Sequence, residues 1–284
     1  MIKRNTLFVL IAILISFTAC DDVVLSPFSQ AWKAPMPYDE SGATRELHVA
    51  AVSMNVDISA DVNREKMITI IDKIKTEKPN IRLILFPETI LGYYYRPSNP
   101  SEYQNTIAET IPGITTNEIS AKAIEHQVYI SFGMVEKDGE DLYNAQVLIG
   151  PDGGIKPVYR KMQLGSWDEE NGFKAGDAIN VYPIDNIKVA TIICSDGNYL
   201  ETHKKIHELG AELVLHALAN PKRSLNNILY QWKYTFSWLL SANRIGTEDG
   251  TTYDGRLFLS APSGELKASS VDVDGYIYGV VKCK

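Results

Sequence analysis

Three residues of the 284-residue chain carry the reactive groups that an acyl transfer needs, and each sits at or near a short strand-like segment. Cys194 closes the segment Lys188-Val189-Ala190-Thr191-Ile192-Ile193, whose β-branched residues read as a buried strand. Ser195-Asp196-Gly197-Asn198 follows at once, so glycine and asparagine break the strand and turn the chain into a helix from about Tyr199. A thiol on such an elbow is held rigidly beside helix N-terminal N–H groups, which favour the nucleophilic thiolate. By itself the cysteine reads more readily as a small core hydrophobe than as a nucleophile. Two other segments shift that balance. Ile81 to Phe86 is a second apolar strand, stopped by Pro87 and followed by the Glu88 carboxylate. Pro157 to Leu164 is a short strand carrying Lys161. Parallel α/β sheets place their sites at the carboxyl ends of strands, where a carboxylate, an ammonium and a thiol can converge.

With Phe86-Pro87-Glu88, Tyr159-Arg160-Lys161 before Leu164, and Ile193-Cys194 before Asp196, the chain resembles the carbon–nitrogen hydrolase (nitrilase) superfamily. Gly92-Tyr93, Gly133-Met134-Val135-Glu136, Tyr143-Asn144, Gly176-Asp177 and Pro262-Ser263-Gly264-Glu265 extend the likeness from about His48 to about Val281. Ile193 to Tyr199, followed by Glu201, is most similar to the aliphatic amidase branch. The resemblance implies an α/β fold, a four-layer αββα sandwich with two sheets face to face. It implies that Cys194 attacks a carbonyl carbon to give a thioester and that Glu88 moves the protons. Lys161 and the backbone N–H of Ser195 would then stabilise the oxyanion. It also implies a second glutamate soon after the lysine. Glu169 and Glu170 compete for that place, and Glu169 is the expectation. Tyr93, Tyr94 and Tyr95, with Asn220-Pro221, are expected to wall the substrate pocket. The expected reaction is hydrolysis of a small amide to a carboxylic acid and ammonia, without cofactor or metal. Two alternatives are a nitrilase-like domain that binds without turnover and an acyltransferase of the same superfamily. The intact Glu88, Lys161 and Cys194 argue against the first; the second would be embedded in a bundle of membrane spans.

The elements that must position these residues alternate in type. A strand is expected over His48 to Met54, and a helix over Asp61 to Glu77 with Met67, Ile70, Ile71 and Ile74 at helical spacing. Thr115 and Glu118 read as a capping box opening a second helix, followed by a strand over Val128 to Val135. After the Cys194 elbow, a helix ending near Gly210 and a strand over Leu213 to Leu215 are expected. Asn226 to Ala242 reads as a long helix with Trp232, Phe236 and Leu239 on one side. Arg256 to Ser260 and Tyr276 to Val281 read as closing strands. With 45% hydrophobic residues, residues 46–284 can bury one large core.

The N-terminus reads differently. A basic start, Met1 to Arg4, precedes a short apolar run, Leu7 to Phe17, and the small residues before Cys20. The run is too short for a membrane span. The pattern resembles a bacterial lipoprotein signal over 1–19, with lipid on Cys20 and a proline-containing tether over 20–45. That places the catalytic domain in the cell envelope, outside the cytoplasm, held to a membrane by lipid. An ordinary secretory signal cleaved near Ala19 is the alternative. A net charge of −7 without a basic cluster argues against nucleic acid as a partner. His203 and His207 stand four apart on the helix after the elbow, but lack a third ligand nearby and read as an exposed face. Cys283 has no assigned role and reads as inert or frayed. The resemblance implies homodimers among its members; the assembly of this chain stays open.

Overall fold

The computed structural model describes residues 38–221, 237–271 and 273–284. The signal segment, Cys20 and most of the tether lie outside the described residues, as do residues 226–236 of the expected long helix. Period-two patterning on apolar strands dictates the architecture. In β1 (Arg45–Ser53), Leu47, Val49 and Ala51 join one apolar cluster, while Ala50 and Val52 join another on the opposite face. In β2 (Leu83–Leu85), Leu83 and Leu85 join the first cluster and Ile84 the second. Strands apolar on both faces belong inside a layered α/β fold.

Among the described residues two six-stranded sheets form, and they repeat one plan. The first runs β14-β1-β2-β3-β4-β5 and the second β13-β12-β9-β8-β7-β6. Beyond β1 and β2, the first sheet uses β3 (Tyr129–Asp138), β4 (Asp141–Ile149), β5 (Tyr159–Arg160) and β14 (Gly275–Cys283). The second uses β6 (Val181–Ile184), β7 (Ile187–Ile193), β8 (Leu213–Leu218), β9 (Trp238–Asn243), β12 (Leu257–Ser260) and β13 (Leu266–Ser270). Each has three parallel strands at its centre, β1-β2-β3 and β7-β8-β9, with antiparallel partners outside.

Leu213, Leu215, Trp238, Leu240, Leu257 and Leu259 of the second sheet pack in the same cluster as Leu47, Val49, Leu83 and Leu85. The sheets therefore lie face to face, and each fully buried aliphatic side chain between them contributes about 1.5–3 kcal/mol. Helices α1 (Ala60–Glu77) and α3 (Ile114–His126) cover the first sheet through Met67, Ile71, Ile74, Ile119 and Ala123. The helix α5 (Leu200–Glu208) covers the second through Ile206. This is the four-layer αββα sandwich. No helix among the described residues is long and apolar enough to cross a membrane.

Three local expectations change. Trp238 to Ala242 belong to β9, not to the end of a helix; pairing with β8 on one side and β12 on the other overrides the helical preference of Leu and Ala. Helix α3 starts at Gly113, whose N–H donates to Thr116 Oγ1, while Thr115 is buried and bonds to Glu109. Cys283 is not frayed: β14 pairs it with Arg45, it is buried, and burial pushes its thiol up to about 11. A helix not expected from the sequence, α2 (Pro100–Ile107), lies between β2 and α3.

Candidate active site

The site forms where carboxyl ends of strands from both sheets meet. Glu88 follows β2, Cys194 follows β7 and Ala219 follows β8. Glu88 bridges the sheets: its N–H reaches the Leu218 carbonyl, and the Ala219 N–H donates to Glu88 Oε2 at 2.7 Å. Its other oxygen accepts from Asn144 Nδ2 at 2.7 Å and from Lys161 Nζ at 2.9 Å. Glu88 is completely buried, so without these donors its carboxylate would carry a heavy desolvation cost.

Lys161 lies just past β5, with its N–H on the Asn144 carbonyl and its own carbonyl held by the Gly176 N–H. A Cβ on Gly176 would lie 2.3 Å from the Arg160 carbonyl oxygen, so only glycine fits that close approach. The ammonium donates to Glu88 Oε1 at 2.9 Å, Asp168 Oδ2 at 2.7 Å and Tyr94 Oη at 3.2 Å. Burial by itself would lower its pKa, but Asp168 and Glu88 outweigh that and hold it well above the usual lysine value.

The acidic partner of Lys161 is Asp168, which corrects the expectation of Glu169. Asp168 is the third residue of the five-residue helix α4 (Ser166–Glu170), and its Oδ2 accepts the Gly165 N–H at 2.8 Å, capping that helix. This turns Asp168 inward, where Oδ1 also accepts from Tyr94 Oη at 2.8 Å and Asn144 Nδ2 at 3.1 Å. Glu169, the next residue round the helix, is exposed, and so is Glu170, which accepts a bond from Tyr95 Oη. The sequence does hold a signal for this: a residue at the third helical position can reach back to the N–H of the cap.

Cys194 is buried at the elbow with φ of 41°, a left-handed conformation that non-glycine residues adopt only where surrounding structure enforces it. Asp196 does the enforcing. Its Oδ2 accepts from Ile193 N–H at 3.0 Å and Tyr159 Oη at 2.7 Å, and its Oδ1 from Met162 N–H at 3.2 Å and Gln163 N–H at 2.7 Å. Burial pushes this carboxyl up to about 6, against the opposing pull of Tyr159, Lys161 and the N–H donors. From the other side, His216 Nε2 donates to the Cys194 carbonyl at 3.0 Å, and a Cβ on Gly197 would lie 2.9 Å from that imidazole. The Ser195 hydroxyl donates to the Gln163 carbonyl.

Cys194, Ser195, Lys161, Tyr94 and Asp168 line one cavity together with Gly165, Trp167, Ala219 and Pro221. Its empty space is about 350 Å³ with the open mouth included. Of the expected walls, Tyr94 stands in the cavity and Tyr95 stacks behind Trp167 at 4.8 Å. Tyr93 packs elsewhere, against the Tyr103 and Ile107 cluster. Asn220 does not line the cavity; its backbone is tied to the Asn243 side chain, and its neighbours Ala219 and Pro221 form the wall. His203 is buried with Nε2 on the Gly197 carbonyl, not exposed, while His207 is exposed. Asp72, Glu125 and His126, on α1 and α3, are the described residues spaced to hold a metal ion, and Lys122 already donates to both Asp72 oxygens. Asn144 and Trp167 are site residues to which the sequence assigns no role, and a buried arginine, Arg244, stands behind the Glu88 turn.

Residues 48–267 match the family model of the carbon-nitrogen hydrolases. The chain belongs to the carbon–nitrogen hydrolase family. Among its carbon–nitrogen hydrolase relatives, a nitrilase of Pyrococcus abyssi is 30% identical over 240 residues, covering 80% of this chain and 86% of the relative. An (R)-stereoselective amidase of a Pseudomonas species is 27% identical, covering 65% of this chain and 67% of its own length. The solved amidase of Nesterenkonia, carrying acrylamide at its active-site cysteine, superposes with a TM-score of 0.70 at 18% identity, over 83% of this chain and 92% of that one.

Proposed function

We propose that this protein hydrolyses a small amide to a carboxylic acid and ammonia through a thioester on Cys194. One observation carries the reading. A buried ammonium stands between two carboxylates, Glu88 and Asp168, in a cavity that also holds a cysteine forced into a left-handed backbone conformation. The names of an amidase and of formamidases among the relatives support the same chemistry.

Glu88 takes the thiol proton as the Cys194 sulfur attacks the carbonyl carbon. The oxyanion is stabilised by the charge of Lys161 and the Ser195 N–H. Glu88 returns the proton to the departing nitrogen, the C–N bond breaks and ammonia leaves. Water then attacks the thioester, Glu88 accepts its proton, and the acid and the thiol are regenerated. The three N–H bonds of Lys161 are committed to Glu88, Asp168 and Tyr94, and the Tyr94 contact is the longest. That contact is the one the ammonium exchanges for the oxyanion. Asp168, whose oxygens accept from Lys161, Tyr94, Asn144 and the Gly165 N–H, holds Lys161 in place. Within the family, the run from Ile193 to Glu201 favours an aliphatic amidase.

The test is ammonia release from aliphatic, aromatic and ω-amides, with Cys194→Ala beside the natural protein. Release that disappears in the variant supports the reading; equal release from both overturns it. The N-terminal pattern supports a second part of the proposal, attachment of the domain to a bacterial membrane through lipid on Cys20, outside the cytoplasm. Metabolic labelling with palmitate should mark the natural chain and not Cys20→Ser. Label absent from the natural chain would remove the anchor.

A further inference from the structure

Arg244 joins β9 to β10 (Ile245–Glu248), away from every motif that identifies the family's chemistry, yet it is among the largest completely buried side chains. A buried guanidinium is costly unless all its donors are used. Here they converge on one turn. Nε donates to the Glu88 carbonyl at 3.1 Å, and Nη2 donates to the carbonyls of Thr89 and Gly92, the latter at 2.6 Å. Nη1 donates to Glu248, which is itself buried and accepts the Tyr94 N–H at 3.0 Å.

This turn cannot hold its shape on local preference. Thr89 has φ of 44°, in the left-handed region that a β-branched residue avoids. The turn also lies hard against β3, where a Cβ on Gly133 would come within 2.3 Å of Thr89 N and 2.6 Å of the Pro87 carbonyl oxygen. Three carbonyls pointing inward would repel one another, and among the described residues the guanidinium is what donates to them. A planar fork suits several acceptors at fixed angles, which an ammonium cannot match.

We propose that Arg244 is a positioning residue for the reaction, fixing the turn that aims the Glu88 carboxylate at Cys194 and, through Glu248, the Tyr94 hydroxyl at Lys161. The inference rests on the reading of Glu88 as the proton-transfer group. It extends that reading to a residue that touches neither substrate nor the cavity.

The experiment compares the full chain with Arg244→Ala and Arg244→Lys, in two assays. The first is amide turnover. The second is the pH dependence of Cys194 alkylation by iodoacetamide, which needs no known substrate. Because a displacement near 1 Å can cost about 100-fold in rate, Arg244→Ala is expected to lose about that much kcat with KM little changed. Added guanidinium should restore at least about a tenth of the lost activity by filling the vacated space, and sodium chloride at equal ionic strength should not. Alkylation should slow, and its pH dependence should change. If Arg244→Ala does not fold, Arg244→Lys decides, with an expected loss of about 10-fold that a merely space-filling role would not give. A folded variant with natural kcat and an unchanged alkylation profile overturns the proposal, as does a loss that guanidinium leaves untouched. If no amide is turned over by the natural protein, the reading of the reaction fails, while the alkylation profiles still decide the role of Arg244.

Discussion

Two turns bring the reacting groups together, and they are stabilised by opposite means. Both follow central parallel strands, one in each sheet, and both contain a non-glycine residue with positive φ, Thr89 at 44° and Cys194 at 41°. The Glu88 turn points its carbonyls inward, and the cation of Arg244 gathers them. The Cys194 elbow is held instead by an anion of its own, Asp196, which ties the Ile193 N–H to the segment after Lys161 by accepting also from the Met162 and Gln163 N–H groups and the Tyr159 hydroxyl. One turn is gathered by a cation and the other tethered by an anion. The difference matters because a guanidinium stays charged at all working pH values, whereas the Asp196 carboxyl changes charge near 6. The elbow that holds the nucleophile rests on a carboxyl that titrates, and the Glu88 turn on a guanidinium that does not.

Substitutions separate the halves. Cys194→Ala should abolish turnover and leave the fold and thermal midpoint nearly unchanged, since it removes one sulfur from a buried site; activity and calorimetry check it. Lys161→Met should reduce kcat by about 1000-fold or more, because it removes the oxyanion charge and strands two buried carboxylates. Asp168→Asn should fall in the same direction, about 100-fold, with the loss in kcat. Glu169→Gln, on the exposed side of the same helix, should stay within about 2-fold. Equal losses for these two would put Glu169 back in the site.

The Asp196 half is expected to give a milder, pH-dependent signature. Its folded value is raised from 3.8 to about 6, so the folded state binds the proton more tightly than the unfolded chain does. Its contribution to stability is therefore fully present below the unfolded value and is lost as pH rises through about 6. Activity should move the other way. Protonation below about 6 weakens the acceptor that holds the elbow, so kcat should fall on the acid side. Asp196→Asn should lower kcat by about 10-fold and flatten both slopes. A variant with the natural acid limb would assign that limb to another group.

How much of this was legible in the sequence follows from what each feature depends on. The strand-end placing of Glu88 and Cys194 could be read because runs of β-branched residues ended by Pro87 or by Gly197-Asn198 are local signals. Lys161 needed the family likeness, since two strand residues, Tyr159 and Arg160, carry little pattern. Asp168 was misplaced by one position because spacing alone cannot say which face of a five-residue helix turns inward. Arg244 gave no signal, because the carbonyls it gathers lie more than 150 residues earlier in the chain and meet it only in the folded sandwich. The β9 segment was misread as helix for the same reason: its identity comes from strands paired on both sides.

The central claim is a covalent acyl group on Cys194 formed with the help of Glu88. The most direct measurement is the intact mass of the protein, acid-quenched within milliseconds of mixing with an amide that it turns over. The account expects a mass increase equal to the acyl group, located on the peptide carrying Cys194, formed with ammonia release and absent in Cys194→Ala and Glu88→Gln. Turnover with no adduct at any quench time, or an adduct on a peptide without Cys194, would contradict it.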